Sequence, residues 1–334
     1  MAEYRQWRET DRTMLKDAIP LDTPYNLSFE VSSICNARCV YCAHSGEHGQ
    51  FEGNMSEKIF HKVLSDADGF KHKIKKCSMF GFGESLCNPK LPEMIKEVNE
   101  SGLVDAVDLT TNGLLLTPAL SDRLIDAGLG TIRISIQGID ADMYWRMCRV
   151  KMDFDKFLDN LRYLYVHRGR VKVRLKIADM SIKDVPDGKK RFVDIFGNMA
   201  DSVFVEHIMP IYSIVDYDAL DRDIVEKSLG GRGGVEQVKV NKVCHRAFYR
   251  CRIRANGDIT AACCDATKDV VFGNVSLENV VDVWNGVGRR EFLRKQLLGQ
   301  RFFIEECKKC MMPNDITSKE DLLDPWAEEL LERW

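Results

Sequence analysis

Three features are missing from this sequence of 334 residues, and each absence excludes a class of protein. No apolar run reaches the roughly 18 residues that a membrane-spanning helix needs. The charged stretch 1–16 lacks the apolar core of a secretory signal peptide. An excess of one charge is also missing, since the chain has 48 basic and 51 acidic residues. General binding to nucleic acid or to a membrane surface is therefore not expected. These absences predict a cytoplasmic globular protein.

Cysteine, in contrast, is abundant. The chain has 12 cysteines. Thiols stay reduced in the cytoplasm, so a disulfide framework is not expected there. This number of cysteines in such a compartment indicates metal or redox chemistry.

Short apolar runs alternate with amphipathic segments over the first two thirds of the chain. Six of these runs have the length and composition of strands: 27–34, 77–80, 104–109, 131–136, 171–178 and 202–208. Six successive strand-then-helix units imply an α/β fold with a parallel sheet and helices outside it. Periodicity alone does not decide whether such a sheet closes, opens partly or lies flat.

The pattern changes after about residue 210. A glycine-rich stretch, 230–234, indicates an exposed loop. Beyond it, 248–255 and 258–262 have the pattern of a β-hairpin whose turn is the dipeptide Asn256-Gly257. We therefore divide the chain into four parts: an N-terminal extension (1–25), a core (26–215), a smaller domain (235–320) and a C-terminal helix (321–334).

Three cysteines, Cys35, Cys39 and Cys42, directly follow the first predicted strand. Loops at the carboxyl ends of parallel strands are where such folds bind ligands, and cysteine thiolates hold iron–sulfur clusters. A fourth local cysteine is missing, so a cubane held here would keep one iron open to a small molecule. The alternative is a zinc site completed by His44 or His48.

The spacing of these cysteines, with Tyr41 before the last of them, resembles the signature of the radical S-adenosylmethionine (SAM) superfamily. The resemblance runs over roughly 26–208 and implies a partial (β/α)6 TIM-like barrel. It also implies that the open iron binds the amino and carboxylate groups of SAM. Reductive cleavage of SAM in that family yields a 5′-deoxyadenosyl radical, which removes a hydrogen atom from the substrate.

Further stretches match that family in the same order. Residues 81–84 stand where it carries a Gly-Gly-Glu-Pro motif; Gly83 and Glu84 match, whereas Phe82 and Ser85 depart from the pattern. The resemblance implies that Glu84 meets the SAM ammonium, a charge-assisted hydrogen bond. The SAM-binding residues that it implies in full are Tyr41, Gly83, Glu84, Thr111, Asn112, Ser135 and Arg149.

A second group of cysteines lies near the end of the chain. Its spacing around Gly257 and its final Cys-x-x-Cys resemble the SPASM/Twitch domains of radical SAM enzymes. The one-cluster form implies a second [4Fe–4S] cluster held by Cys244, Cys263, Cys307 and Cys310, with Cys264 as the alternative to Cys263. Zinc with four thiolates also fits this spacing. We expect the remaining Cys77, Cys87 and Cys251 to be buried apolar residues.

A cluster with four protein thiolates has no open iron, so its natural use is to move electrons. The combination resembles 2-deoxy-scyllo-inosamine dehydrogenase and implies oxidation of an alcohol carbon on an aminocyclitol or a sugar-like small molecule. A flavodoxin- or ferredoxin-like protein would supply electrons to the first cluster. We expect Glu206 to be the general base, although Glu206 and His207 are consecutive and only one of them can face the cavity.

Three other functions stay open. An epimerase would use a cysteine as hydrogen-atom donor, and Cys148 is the candidate that we place in the catalytic site, with Cys251 second. A peptide-modifying enzyme of the same superfamily is another. The third is not an enzyme but an iron–sulfur or zinc-binding module. Arg174 and Lys176 share one face of the fifth strand and are candidates to bind an anionic group.

Overall fold

One sheet of ten strands organises the molecule. The computed structural model describes residues 2–4, 13–45, 53–233, 240–261, 270–316 and 318–334. The strands are β1 (Glu3–Tyr4), β2 (Asn26–Phe29), β3 (Lys76–Ser78), β4 (Val107–Thr111), β5 (Thr131–Ile136), β6 (Lys172–Ala178), β7 (Ser202–Glu206), β8 (Arg250–Ile253), β9 (Asp258–Thr260) and β10 (Val271–Asn274). Their order is β1-β7-β6-β5-β4-β3-β2-β8-β9-β10.

All pairs from β1 to β8 in that order are parallel, and β9 and β10 continue the sheet antiparallel. The helices are α1 (Leu15–Ala18), α2 (Glu57–Ala67), α3 (Leu91–Glu100), α4 (Pro118–Asp126), α5 (Ala141–Cys148), α6 (Phe154–His167), α7 (Asp179–Ile182), α8 (Gly188–Phe196), α9 (Tyr217–Leu220), α10 (Ile224–Ser228), α11 (Arg246–Tyr249), α12 (Val280–Trp284), α13 (Val287–Leu297) and α14 (Ala327–Leu331). The predicted α/β fold with six strand-then-helix units, β2 to β7, is confirmed, and the open strand order is that of a partial barrel.

The two faces of the barrel sheet differ in polarity. In β5, Ile132, Ile134 and Ile136 are fully buried, whereas the alternating Arg133 and Ser135 are half-buried. β6 shows the same alternation of buried apolar residues with half-buried basic ones. Because successive strand residues point to opposite faces, the apolar set packs under the outer helices and the polar set faces the interior. The interior of the barrel is therefore a polar chamber.

The smaller C-terminal region is continuous with the barrel sheet. The predicted hairpin forms, with β8 and β9 joined at Gly257, whose φ of 92° suits glycine. β8 also pairs in parallel with β2, a contact that periodicity did not predict. This pairing makes the first strand of the C-terminal region part of the barrel wall.

Both ends of the chain differ from the predicted outline. Residues of the N-terminal segment add β1 to the edge of the barrel sheet beside β7. Leu15 and Ile19 of the same segment pack with Leu293 and Leu330 of the C-terminal region. At the other end, the expected helix is shorter: a 3-10 turn at Asp324–Trp326 leads into the five residues of α14.

Candidate active site

The first cysteine loop follows β2 and rests on the end of α5. The backbone N–H of Arg38 donates to the Cys148 carbonyl at 2.9 Å, and that of Val40 donates to the Met147 carbonyl at 2.9 Å. The Arg38 guanidinium returns to the Cys35 carbonyl at 2.7 Å. These contacts close the chain around its three thiols.

The thiols of this loop are near enough to influence one another. Burial raises the pKa of Cys35 to about 12, and the neighbouring charges of Glu84, Cys42 and Cys87 add to the effect. The pKa of Cys39 is raised by a hydrogen bond with Cys148, then by burial and by the other two loop cysteines. Three thiolates that are partly buried and close to one another need a cationic group to compensate their charge.

A cubane is such a group, because it takes each thiolate on a different iron. Its ligands need not converge on one point as those of a single metal ion do. Within the described ranges, no three His, Cys, Asp or Glu side chains converge in that way. His44, the alternative fourth ligand, is buried and stacks on Phe82 with ring centroids 4.0 Å apart. His48 lies outside the described residues. The donor set of the loop fits an iron–sulfur cluster.

Gly83 and Glu84 lie against this loop. A Cβ at Gly83 would lie 2.5 Å from the Ser33 carbonyl carbon, so only glycine fits there. The buried Glu84 carboxylate accepts hydrogen bonds from the Leu86 N–H at 3.0 Å, the Thr111 hydroxyl at 2.6 Å and the Asn112 N–H at 2.7 Å. Burial raises the pKa of Glu84, and the three hydrogen bonds lower it by less than burial raises it. Glu84 thus fastens the loop after β4 beside the cysteine loop.

Asn112 makes a direct contact with the cysteine loop. Its side-chain amide donates to the Asn36 side-chain oxygen at 2.7 Å. The structure therefore brings Gly83, Glu84, Thr111 and Asn112 together at the carboxyl ends of β3 and β4. Their predicted contacts with SAM stay predictions.

Glu30 is a residue of this site that the sequence reasoning missed. It is buried, accepts the Phe82 N–H at 3.0 Å and pairs with Arg254 at 3.7 Å. A Cβ atom added at Gly81 would lie 2.4 Å from the Cβ atom of Glu30. Glu30 therefore links the glycine loop to the end of β8. An acidic residue inside the apolar run after β2 was the available signal.

The other predicted SAM-binding residues are spread around the same end of the barrel. The Tyr41 hydroxyl donates to the side-chain oxygen of Gln137, and Ser135 is half-buried on the inner face of β5. Arg149 ends α5 in the left-handed region, with φ of 58°, and its side chain is exposed. Tyr41 and Ser135 are thus partly buried, whereas the Arg149 side chain is exposed, and the contacts of all three with SAM stay predictions.

Cys148, the candidate hydrogen-atom donor, is fully buried behind the cysteine loop. Its thiol donates to the Tyr144 carbonyl at 3.1 Å and is hydrogen-bonded with Cys39. The described lining of the chamber does not include it. This placement favours support of the Cys39 thiolate over direct contact with substrate.

The described part of the second cysteine group is held by a glutamine. The Cys244 N–H donates to the Gln296 side-chain oxygen at 3.2 Å, and the Gln296 amide nitrogen lies 3.9 Å from the Cys307 sulfur. Burial raises the pKa of Cys307 to about 12, and the nearby charge of Cys244 contributes. Cys263 and Cys264 lie outside the described residues, so the choice between them stays a prediction.

A buried arginine, Arg301, shapes the Cys-x-x-Cys turn. Its guanidinium donates to three backbone carbonyls, those of Asn241 at 3.1 Å, Cys307 at 2.6 Å and Cys310 at 3.1 Å. Only 1% of its surface is exposed. Neither Arg301 nor Gln296 stands in a motif, so no sequence pattern indicated their roles.

The remaining cysteines divide into two kinds. Cys77 and Cys251 are buried in the core, as predicted. Cys87 is half-exposed and close enough to Cys35 to raise the pKa of that thiol, so its prediction as a buried apolar residue was wrong. It sits at the end of a 3-10 turn, Ser85–Cys87, which carries it toward the cysteine loop.

A chamber of about 460 Å³ occupies the interior of the barrel. At one side it is lined by Gly81 and by Tyr212, whose hydroxyl is hydrogen-bonded to Cys42. At the other side it is lined by Arg246 and Asp315, which follow the cysteines of the second group closely in the chain. The chamber wall is therefore bonded to the first cysteine group through Tyr212 and carries residues two and five positions after Cys244 and Cys310.

A chain of ion pairs crosses the wall of this chamber. Glu206 pairs with Lys176 at 2.5 Å and with Arg232 at 3.4 Å, and Asp315 pairs with Arg232 at 3.3 Å and Arg246 at 2.6 Å. Burial alone would raise the pKa of Glu206, but these cations hold it below its usual range. Glu206 is therefore a carboxylate at neutral pH.

Of the two consecutive residues at the end of β7, Glu206 is the one that faces the chamber. His207 pairs instead with Asp179 at 2.7 Å. Arg174 and Lys176 both line the chamber, as their shared strand face predicted.

Comparison with known proteins decides the family. A model described as the radical SAM superfamily matches residues 29–177, and one described as an iron–sulfur cluster-binding domain, SPASM, matches 244–311. A probable GTP 3′,8-cyclase of Methanococcus maripaludis is 32% identical over 224 residues, which span 65% of this chain and 68% of that protein. The chain belongs to the radical SAM superfamily. Its cofactors are SAM and [4Fe–4S] clusters, one in each domain.

Other similar proteins cover less sequence or share only the fold. A probable GTP 3′,8-cyclase of Methanocaldococcus jannaschii is 26% identical over 48% of this chain, and the match spans about half of that relative, 53%. The crystal structure of BtrN in complex with AdoMet and 2-DOIA has a TM-score of 0.57 at 16% identity, covering 86% of this chain and 92% of that one. The crystal structure of Streptococcus suis SuiB bound to precursor peptide SuiA has a TM-score of 0.62 at 16% identity. The match covers 90% of this chain and 72% of that one. These structures show the fold of this radical SAM enzyme.

The two cysteine groups of this radical SAM enzyme correspond to the two matched domains. Cys35, Cys39 and Cys42 lie in the radical SAM match, and Cys244, Cys307 and Cys310 lie in the SPASM match. In the part of the chain that the structure describes, no helix is long and apolar enough to cross a membrane.

Proposed function

We propose that this radical SAM enzyme oxidises an alcohol carbon of a sugar-like small molecule held in the chamber. One observation carries the proposal: a residue of the chamber wall is hydrogen-bonded to the first cysteine group, and two others adjoin cysteines of the second group in the chain. Tyr212 contacts Cys42, and Arg246 and Asp315 follow Cys244 and Cys310. We place the substrate in this chamber, between the group that starts a radical reaction and the group that can take up an electron.

When bound beside Cys35, Cys39 and Cys42, the first cluster with SAM would supply hydrogen-atom abstraction from the alcohol carbon, and an auxiliary cluster held by Cys244, Cys263, Cys307 and Cys310 would supply an acceptor for one electron. The hydroxyl proton goes to Glu206, and the product is a ketone. Glu206 suits this role because it lines the chamber and its cationic neighbours keep it ionised. Lys176, at 2.5 Å, stabilises the carboxylate.

Seven residues are proposed to hold SAM beside the first cluster: Tyr41, Gly83, Glu84, Thr111, Asn112, Ser135 and Arg149. Glu84 is the anchor of this set, since it already fixes Thr111 and Asn112. The exposed Arg149 needs to turn inward to reach a bound carboxylate.

The auxiliary ligands are proposed to be Cys244, Cys307, Cys310 and Cys263. Four thiolates leave no open iron, which suits electron transfer rather than substrate binding. Gln296 and Arg301 hold the described part of this set in place. We propose a flavodoxin- or ferredoxin-like protein as the donor to the first cluster.

The test uses anaerobically reconstituted enzyme with SAM, a reductant and a panel of polyols, sugars and aminocyclitols. A substrate is expected to give equal amounts of 5′-deoxyadenosine and ketone. The double variant C307S/C310S should still form 5′-deoxyadenosine but no ketone. Ketone formation that is unchanged in this variant contradicts the electron-accepting role. Solvent deuterium in the product carbon, without ketone, indicates an epimerase instead.

Radical-initiated ring closure on a nucleotide is the second candidate. The two curated relatives above are named GTP 3′,8-cyclases, and the chamber has an excess of basic side chains that suits a triphosphate. Incubation with GTP separates the two candidates, since a cyclase gives an isomer of GTP and a dehydrogenase gives a ketone.

A further inference from the structure

We propose that the chamber recognises its substrate through a polyanionic group, a phosphoryl or polycarboxylate moiety, held by the arginines of its wall. The inference rests on the proposed function only in taking the chamber as the substrate site. It replaces the aminocyclitol suggested by sequence resemblance with a substrate of the opposite charge.

The charge balance of the wall is the first argument. Of the described residues lining the chamber, eight are basic and three are acidic. The basic residues are Lys76, Arg133, Arg174, Lys176, Arg232, Arg246, Arg250 and Arg252. Basic side chains that outnumber acidic ones in the described lining favour an anionic ligand over a cationic one.

The second argument is that the basic residues converge on one volume. Arg133 on β5 lies 5.8 Å from the centre of the Phe80 ring, and Arg250 on β8 lies 5.3 Å from it. Burial lowers the pKa of Lys176, and the positive charges of Arg232 and Arg133 lower it further against the effect of its partner Glu206. Basic side chains from β5 and β8 thus lie close to the same ring, that of Phe80, in the chamber wall.

The three carboxylates are each engaged with more than one cation. Asp108 pairs with Arg133 at 2.5 Å and with Lys76 at 3.7 Å. Glu206 and Asp315 share Arg232 between them. The carboxylates therefore orient the basic side chains with which they pair.

Arginine is the residue that best matches the geometry of phosphate and carboxylate groups, because its planar fork donates two parallel hydrogen bonds. Six of the eight basic residues are arginines. The amino group of an aminocyclitol is cationic at neutral pH and is repelled by this wall. A chamber of about 460 Å³ accommodates a sugar phosphate or a nucleotide.

Binding to the reconstituted holoenzyme tests the inference without turnover. Isothermal titration calorimetry would compare tripolyphosphate, citrate, glucose 6-phosphate, glucose and glucosamine. We expect the anions to bind, with affinity that falls as salt rises, and glucosamine not to bind. Tripolyphosphate above citrate identifies a phosphoryl group, and the reverse identifies a polycarboxylate.

Variants locate the binding to the chamber. Arg174→Gln and Arg252→Gln should each weaken the preferred anion by roughly tenfold or more, and Arg174→Lys should weaken it less. Arg162→Gln is the matched control, because Arg162 is half-exposed on α6 and pairs with Asp159. Circular dichroism shows whether each variant is folded.

Two results overturn the inference: equal affinity for glucose and glucose 6-phosphate, or anion binding that both chamber variants leave unchanged. Failure of the proposed oxidation looks different. In that case the anion binds in the chamber and the variants weaken it, but the matching phosphorylated or carboxylated alcohols give no ketone.

Discussion

The two cysteine groups of this enzyme are built in opposite ways. The first takes all three thiols from one loop, Cys35 to Cys42, that follows a single strand. The second combines Cys244 with the distant pair Cys307 and Cys310, and a buried glutamine and arginine hold them together. The first site therefore depends on local chain geometry, whereas the second depends on long-range hydrogen bonds.

The largest expected effect separates the chemistry of the two sites. Replacing Cys35, Cys39 and Cys42 by serine should lower iron from about eight to about four atoms per chain and abolish SAM cleavage, since each cubane holds four irons. The C307S/C310S variant should lose as much iron yet keep SAM cleavage. Iron analysis and 5′-deoxyadenosine chromatography measure both results. Equal loss of SAM cleavage in the two variants would show that the sites do not act separately.

The next effect concerns the long-range hydrogen bonds. Arg301→Met should destabilise the fold by about 3 kcal/mol or more, because it leaves the carbonyls of Asn241, Cys307 and Cys310 without their donor. It should also release the auxiliary cluster while the first cluster stays. Denaturant unfolding and iron content measure this. Arg294→Met, at an exposed position of α13, is the matched control and should change little.

The contrast between local geometry and long-range hydrogen bonds also decides how much of each site the sequence predicts. The first three thiols could be predicted because their spacing is local and their strand is strongly apolar. Gln296 and Arg301 could not, since Gln296 bonds to Cys244 and Arg301 bonds to Asn241 only when remote segments meet. The order of strand-then-helix units was predictable from periodicity, whereas the partial barrel followed only from the family resemblance.

The chamber shows the same division. The inward direction of Arg174 and Lys176 could be predicted, because a strand alternates its faces. Arg250 and Arg252 join that wall only because β8 pairs in parallel with β2. Nothing in the local pattern of a hairpin predicts that its first strand extends the barrel sheet.

A smaller effect tests the fit of the first loop. Gly83→Ala should destabilise the fold by about 1–3 kcal/mol and weaken SAM binding, since the added Cβ meets backbone atoms of Ser33 and Ile34 at 2.5 and 2.6 Å. Gly288→Ala is the control, because a Cβ there meets nothing within 4 Å. Thermal unfolding and SAM titration compare the two variants. Similar unfolding temperatures and SAM affinities of the two variants would mean that the backbone of Ser33 and Ile34 shifts at little energetic cost.

The smallest expected effect is the most informative about the open iron. Cys87 lies near Cys35, so a fourth thiolate is within the neighbourhood of the first cluster. We expect Cys87→Ser to leave iron content and the SAM-induced change in the cluster's electron paramagnetic resonance spectrum unaltered. Cys35 is the contrast, since Cys35→Ser should lose the cluster. The expectation rests on position, since Cys87 lies outside the loop of Cys35 to Cys42, at the end of the 3-10 turn Ser85–Cys87. Loss of iron in the Cys87 variant would make it a fourth ligand, and SAM would then have no vacant corner to occupy.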